Sequence, residues 1–467
     1  MKTIQFLRVP TIWRTLALST ATALLSTTLA QAATTNIEVW TSLNQHNKQA
    51  FEKLVKAFNA DQKEVSVKSK SFDSSDAIES ALAGGAKSAA GPNLVQLDDD
   101  RDPDTVAKKR SYVLPLYTLL AKHPISNAAW FLPADNPFLR DSRARLLAFP
   151  YMVEVPVMYY NIDAFKKAGI SPAAPARSWK SLQDQVVQLA NNGSRQCPFT
   201  TDVPVSVNLE NLAAVNNQLY ATDDNGLAAK GKTTPRFSFD SLFVRHLSVM
   251  ISWVRSEIMT RPDQESKATS RFANRECAVL LSSSSNMGWF NDSRSLNFGV
   301  TGLPYYPDVA PTPGNPFVNG AALWAIKGHT ADQDKATAAF LSWLAQPKNA
   351  STWYQQTGFL PLTQQAFAAT GDSYYKNLGA WKSLVAVYAK RPSSTALGFR
   401  ISNYPQIKAM FHKTLDRALS GQLPAVSALN SASAQASSMM GPSSGVASGS
   451  SKAVHHSSKA KKTHKKQ

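Results

Sequence analysis

Two cysteines, Cys197 and Cys277, are the whole thiol content of 467 residues. No disulfide-rich framework can organise such a chain, and at most one bond can form. After residue 32 there is no run of the roughly 18 apolar residues that a bilayer-spanning helix needs. Charge is one-sided, with 50 Lys and Arg against 32 Asp and Glu and a formal +18. No arginine–aromatic pattern accompanies that excess, so no nucleic-acid groove is expected. No internal repeat is present. A convincing nucleophile–base pair is also missing. Of the eight histidines, His455, His456 and His464 lie in a low-complexity tail, and His412 falls on a surface-type helical pattern. An enzyme is therefore not expected.

What is there begins with an export pattern. Lys2, Arg8 and Arg14 precede a stretch at 16–29 that is apolar or small, and Ala30-Gln31-Ala32 fits a small-x-small cleavage site. Residues 1–32 read as a signal peptide cleaved after about Ala32. No Cys lies near that site to carry a lipid anchor. Export makes a Cys197–Cys277 bond the expected state, with two buried free thiols as the alternative. The charge also divides. Three positive charges belong to the leader and six to the tail lysines 452, 459, 461, 462, 465 and 466, which leaves +9 spread over the rest.

The remaining length suits two or three domains. Residues 37–40 read as a strand. Phe51, Leu54, Val55 and Phe58 share one helical face. Residues 66–72 alternate, 75–86 are helical and 93–97 are again strand-like. This β-α-β-α-β rhythm predicts an α/β domain with a largely parallel sheet. Residues 146–161 (LLAFPYMVEVPVMYYN) are extended and long enough to cross between two lobes. Ser178 caps a helix carrying Trp179, Leu182, Val186 and Leu189. In residues 339–363 (AFLSWLAQPKNASTWYQQTGFLPLT), Pro347 ends one helix. Gly358 stops the next by taking positive φ, and Pro361 prevents resumption. From 429 to 467, Ser, Ala and Lys dominate, and a disordered tail is expected.

Three motifs tempt and fail on context. Residues 226–233 (GLAAKGKT) match the phosphate-loop pattern, but a polar turn precedes them and Pro235 follows. Residues 441–445 (GPSSG) match a nucleophile elbow, but lie in the tail where no sheet can present the serine. Asp98, Asp99, Asp100, Asp102 and Asp104 lack the spacing and glycine of a calcium loop. No metal and no cofactor are expected.

The stretches VPVMYYNIDAFKKAGI (155–170), SWKSLQDQ (178–185), CPFT (197–200), NLEN (208–211), ECAVLLSSSS (276–285), NGAALWAI (319–326), QTGFLPLT (356–363) and GFRISNYPQI (398–407) follow one another in a recognisable order. In that order the chain resembles the periplasmic solute-binding proteins of ABC importers, family 1, and within it the members that bind glycerol-3-phosphate. The resemblance implies a two-lobed periplasmic-binding-protein fold, hinge-crossing strands and a ligand cleft between the lobes. Lobe 1 is expected at 33–145 and 305–360, and lobe 2 at 146–304 and 361–428. It implies a periplasmic monomer that hands a small molecule to membrane permease subunits.

The resemblance places Arg400 on a ligand phosphate, Ser283 and the Gly320 backbone as further phosphate-side donors, and Asp99 on glycerol hydroxyls. Ser75 stands where the family has a tyrosine, Glu154 where it has a serine, and Phe359 where it has a tyrosine. Val203 and Ser206 replace two tryptophans. Lost aromatic bulk and a gained acid suit a zwitterionic glycerophosphodiester, with Arg400 on its phosphate and Glu154 on its ammonium. A neutral sugar or polyol is the competing ligand.

Overall fold

A computed structural model describes residues 34–440 except 85–90, 100, 104–108, 127, 172–174, 195, 230–232 and 263–266. The signal segment, the GPSSG motif and the lysine-rich end lie outside the described residues. The strands form two sheets. The first contains β1 (Thr35–Thr41), β2 (Val65–Ser71), β3 (Leu94–Asp98), β4 (Val113–Leu114), β5 (Phe149–Glu154) and β10 (Asn319–Ile326). The second contains β6 (Pro156–Asn161), β7 (Cys197–Thr201), β8 (Cys277–Ser283) and β9 (Phe298–Thr301).

The opening β-α-β-α-β unit is parallel, with β1 between β2 and β3. The helix Gln45–Asp61 between the first two strands buries Phe51, Leu54, Val55 and Phe58 on one face. Departure from a parallel sheet comes from β10, which pairs antiparallel with β3, β4 and β5. The second sheet is mixed: β7 runs parallel to β8, while β6 is antiparallel to both β8 and β9.

The chain crosses between the sheets at Val155, which is 1% exposed. Residues 149–154, expected in the second lobe, belong to the first sheet, because they pair with β10. Residues 361–389, also expected in the second lobe, bury Leu362, Trp381 and Val385 in a core that spans both sheets, and Ala380 N donates to Val300 O of β9 at 2.8 Å. Conversely, Tyr306 and Phe317, expected in the first lobe, sit in the second core. Two buried asparagines fix them there, since Tyr306 N donates to Asn216 Oδ1 at 2.8 Å and Phe317 N to Asn211 Oδ1 at 2.7 Å.

The expected disorder from residue 429 is corrected over its first part. Ala425–Met440 is a helix, and Ala425, Ala428, Leu429, Ala432, Ala436 and Met440 are buried along it. Their spacing is helical, and alanine, the best helix former, lets backbones approach closely. The low-complexity composition concealed this narrow face. Ser433 Oγ donating to Phe237 O at 2.7 Å and Asn403 Nδ2 to Met439 O at 2.8 Å fasten the helix to the second lobe.

The parallel register of β7 and β8 sets Cys197 opposite Cys277, and the two are bonded across 80 residues of chain. Closing a loop of that length constrains the unfolded chain by about 4 kcal/mol in the chain-entropy account. The double variant Cys197→Ala/Cys277→Ala is expected to lower unfolding free energy by about that amount in urea titrations.

Candidate functional site

Strand register builds the site. β5 ends at Glu154, paired with Asn319 at the start of β10, and Gly320 faces Val153. β6 begins at Pro156, paired with Ser283 at the end of β8. Ser284 N donates to Val155 O at 2.8 Å, locking the crossing to the second lobe. Glu154, Ser283 and Gly320 therefore meet at the junction of the lobes. The end of β3 adds Asp98, which pairs with Ala321. Asp99 N donates to Gly320 O at 3.4 Å. Ser75, first residue of the helix Ser75–Ala83, donates through Oγ to Asp98 Oδ1 at 3.1 Å.

Gly320 is required by geometry. Its φ is +107°, and a Cβ there would lie 2.2 Å from Met152 O and 3.0 Å from Glu154 Cγ. Glycine alone lets the two strands close so tightly beside the carboxylate.

The carboxylates of this cleft are crowded by protein while still facing solvent. Asp98 can be reached by water, and Asp99 and Glu154 are partly covered. That crowding pushes all three carboxyl pKa values up. Ser75, Lys408 and Arg110 offset the rise only in part at Asp98. Hydrogen bonds from Ser283 and Ser285, and then the charge of Lys408, do so at Glu154. Asp99 Oδ2 lies 3.8 Å from Arg101 Nε. Such groups gain when a cation or hydroxyl donors approach.

Arg400 stands at one edge. Its charge reaches Asp99, and it lines a gap of about 10 Å³ with Asp99, Arg101, Phe138, Arg140 and Phe399, water-sized at most. Its Nη2 donates to the carbonyls of Arg140 and Asp141, both at 3.3 Å, and its Nε is shielded without a hydrogen bond. A wider cavity of about 230 Å³ adjoins it, lined by Asp102, Ser142, Gly226, Thr233, Thr234 and Ser402 among others.

Phe359 takes a different place. It is 5% exposed and stacks on Trp353 with centroids 5.5 Å apart. Its ring supports the site from the core and offers no polar contact. Val203 and Ser206 line a cavity of about 350 Å³ on the second lobe, together with Lys408, Ala409 and His412. Sequence reasoning passed over Asp98, Lys408 and Glu210. For Glu210 the NLEN stretch was a usable signal; a lysine on an amphipathic helix carries none.

Two lobes joined at a strand crossing, with polar and charged groups gathered between them, define a cleft-type binding protein. A family model of "bacterial extracellular solute-binding protein" matches residues 53–380, most of the chain. The chain belongs to that family. It is 30% identical over 434 residues to the sn-glycerol-3-phosphate-binding periplasmic protein UgpB of Pectobacterium atrosepticum, covering 90% of this chain and 96% of that one. To UgpB of Escherichia coli (strain K12) it is 28% identical over 408 residues, covering 86% and 92%. Among solved structures, UgpB from Mycobacterium tuberculosis in complex with glycerophosphocholine superposes with a TM-score of 0.67 at 18% identity, covering 86% of this chain and 98% of that one. Maltose-bound MalE3 of T. maritima gives 0.69 at 15% identity, covering 87% and 100%. At those identities the structural likeness speaks for the fold. Among the described residues no helix is long and apolar enough to cross a membrane.

Gly320→Ala is expected to destabilise the fold by more than about 1 kcal/mol, because a side chain is strained at that φ and meets Met152 O. Urea unfolding checks it; an unchanged midpoint would show that the β5–β10 contact yields.

Proposed function

We propose that this chain is the periplasmic binding component of an ABC importer. It captures glycerol-3-phosphate or a glycerophosphodiester and presents it to the membrane permease, after cleavage of its leader near Ala32. The near full-length similarity to UgpB proteins carries the reading. The site is consistent with it. Ser75, Asp98 and Asp99 offer acceptors and a hydroxyl for a glycerol end. Ser283 and the Gly320 backbone lie beside them, and Arg400 supplies a guanidinium suited to a phosphate. Its present bonds to neutral carbonyls are long and exchangeable for a charge-assisted pair. Glu154 favours a diester whose second alcohol bears an ammonium. No chemistry on the ligand is involved. Ligand contacts to both lobes would stabilise the closed form, and the permease would read that form.

Calorimetric titration with glycerol-3-phosphate, glycerophosphocholine and maltose tests the reading. Heat with either phosphate compound and none with maltose is expected. The reverse pattern would establish a neutral sugar as the ligand and sink the phosphate reading. Arg400→Gln is expected to weaken the phosphate ligands by roughly one to two orders of magnitude.

Acidity gives a second test. The raised pKa values of Asp98, Asp99 and Glu154 lie above the ordinary 3.8 and 4.5. An ammonium binds the charged form of Glu154, so affinity for glycerophosphocholine falls as pH drops through its raised value. Protons are released on binding in the same window, visible as buffer-dependent heats. For stability without ligand the sign is opposite. The raised carboxyls stabilise the fold below the ordinary carboxylate range, and that contribution is lost as pH rises through their folded-state values.

A further inference from the structure

Lys408 carries a charge into the cleft that the ligand reading leaves without a role. It sits one turn after Tyr404 on the helix Tyr404–Leu419, and both side chains meet Glu210. Tyr404 Oη donates to Glu210 Oε1 at 2.5 Å, and Lys408 Nζ stands 3.4 Å from the same oxygen. Glu210 is 1% exposed. Burial alone would raise its pKa, but Lys408, the Tyr404 hydrogen bond and Arg101 outweigh it and hold the carboxyl below its usual value. Glu210 is thus a fixed anion in the second lobe, and it tethers the lysine.

The Lys408 side chain remains 36% exposed. Across the gap, on the first lobe, Asp98 and Glu154 both feel its charge. Asp98 also has Arg110 nearby, but that guanidinium is paired with Glu79 at 2.6 Å. Beside the lysine opens a cavity of about 350 Å³, apolar along Val203, Pro204, Val205 and Ala409, with Asp202 and Lys413 also in its lining. A lysine stem packs well against such an apolar wall while its ammonium stays wet.

We propose that Lys408 sets the charge preference of the ligand's free end. Held on Glu210, it is a resident cation whose field reaches Asp98 and Glu154 from across the gap. The proposal rests on the glycerophosphodiester reading above. It follows that the lysine helps an anionic ligand and competes with a cation-headed one.

The test is calorimetric titration of wild type, Lys408→Met and Lys408→Arg with glycerol-3-phosphate and with glycerophosphocholine. In Lys408→Met, affinity for glycerophosphocholine is expected to rise about tenfold and affinity for glycerol-3-phosphate to fall about tenfold, the scale of one removed charge in a partly wet cleft. Lys408→Arg keeps the wild-type ranking. Lys408→Met leaves Glu210 buried without its cation, so Glu210→Gln/Lys408→Met is measured beside it and shows the same opposed shifts. Shifts in one direction for both ligands, or none beyond about twofold, overturn the proposal and leave the ligand reading standing. A wild-type protein that binds neither phosphate compound overturns both.

Discussion

The backbone crossing at Val155 is the constraint on which the rest of this structure depends. Three hydrogen bonds hold it. Ser284 N donates to Val155 O at 2.8 Å, Leu360 N to Val153 O at 2.7 Å, and Val155 N to Ser284 Oγ at 3.3 Å. The strands on either side belong to different sheets and pair with different partners. A slip of one residue would turn every side chain to the opposite face. Glu154 would then leave the cleft, and Gly320 would no longer face Val153. Site geometry is thus fixed by register, and register by a junction with almost no solvent exposure.

A second set of contacts brings residues 399–403 of the second lobe against the first. The Arg101 guanidinium lies 4.5 Å from the Phe399 ring, and Arg101 O accepts from Ile401 N at 3.3 Å. Ser402 Oγ donates to Asp102 Oδ2 at 2.9 Å, and Lys109 Nζ to Asn403 Oδ1 at 2.9 Å. Most of these are polar contacts that water can replace at modest cost. Elsewhere the two sheets share an apolar core, in which Tyr159, Leu280 and Val300 join Val39 and Leu323. The phosphate-loop look-alike finds its use here. Gly226 takes φ +79°, and a Cβ there would lie 2.0 Å from Arg400 O. Its glycine serves backbone packing against the Arg400 segment.

Much of this was legible in the sequence. Periodicity gave the opening parallel unit, and the long extended segment at 146–161 marked the crossing. Gly358 does take positive φ, 84°, as the cap of the helix Pro347–Thr357. Lobe boundaries were less legible, because they depend on pairing partners distant in sequence, such as β5 with β10. The helix Ala425–Met440 hid in low-complexity composition, since a face of alanines resembles a linker until something packs on it. Lys408 and Glu210 were missed for a similar reason. A lysine on an amphipathic helix reads as solvated, and only the fold brings it to a buried acid and two carboxylates of the other lobe.

The QTGFLP segment is held by close backbone packing. Gly358 is required by packing, since a Cβ there would lie 2.2 Å from Ser284 O. Across the same interface a Cβ on Gly288 would lie 1.6 Å from Gln356 O. The helix end and the serine turn behind the cleft therefore approach through two glycines, one from each side. Phe359, next in sequence, is turned onto Trp353 and away from polar partners. A phenylalanine in place of a tyrosine at that position removes a hydroxyl from a ring that faces the core. Groups that still reach solvent across the gap include the carboxylates at 98 and 154 and the ammonium at 408.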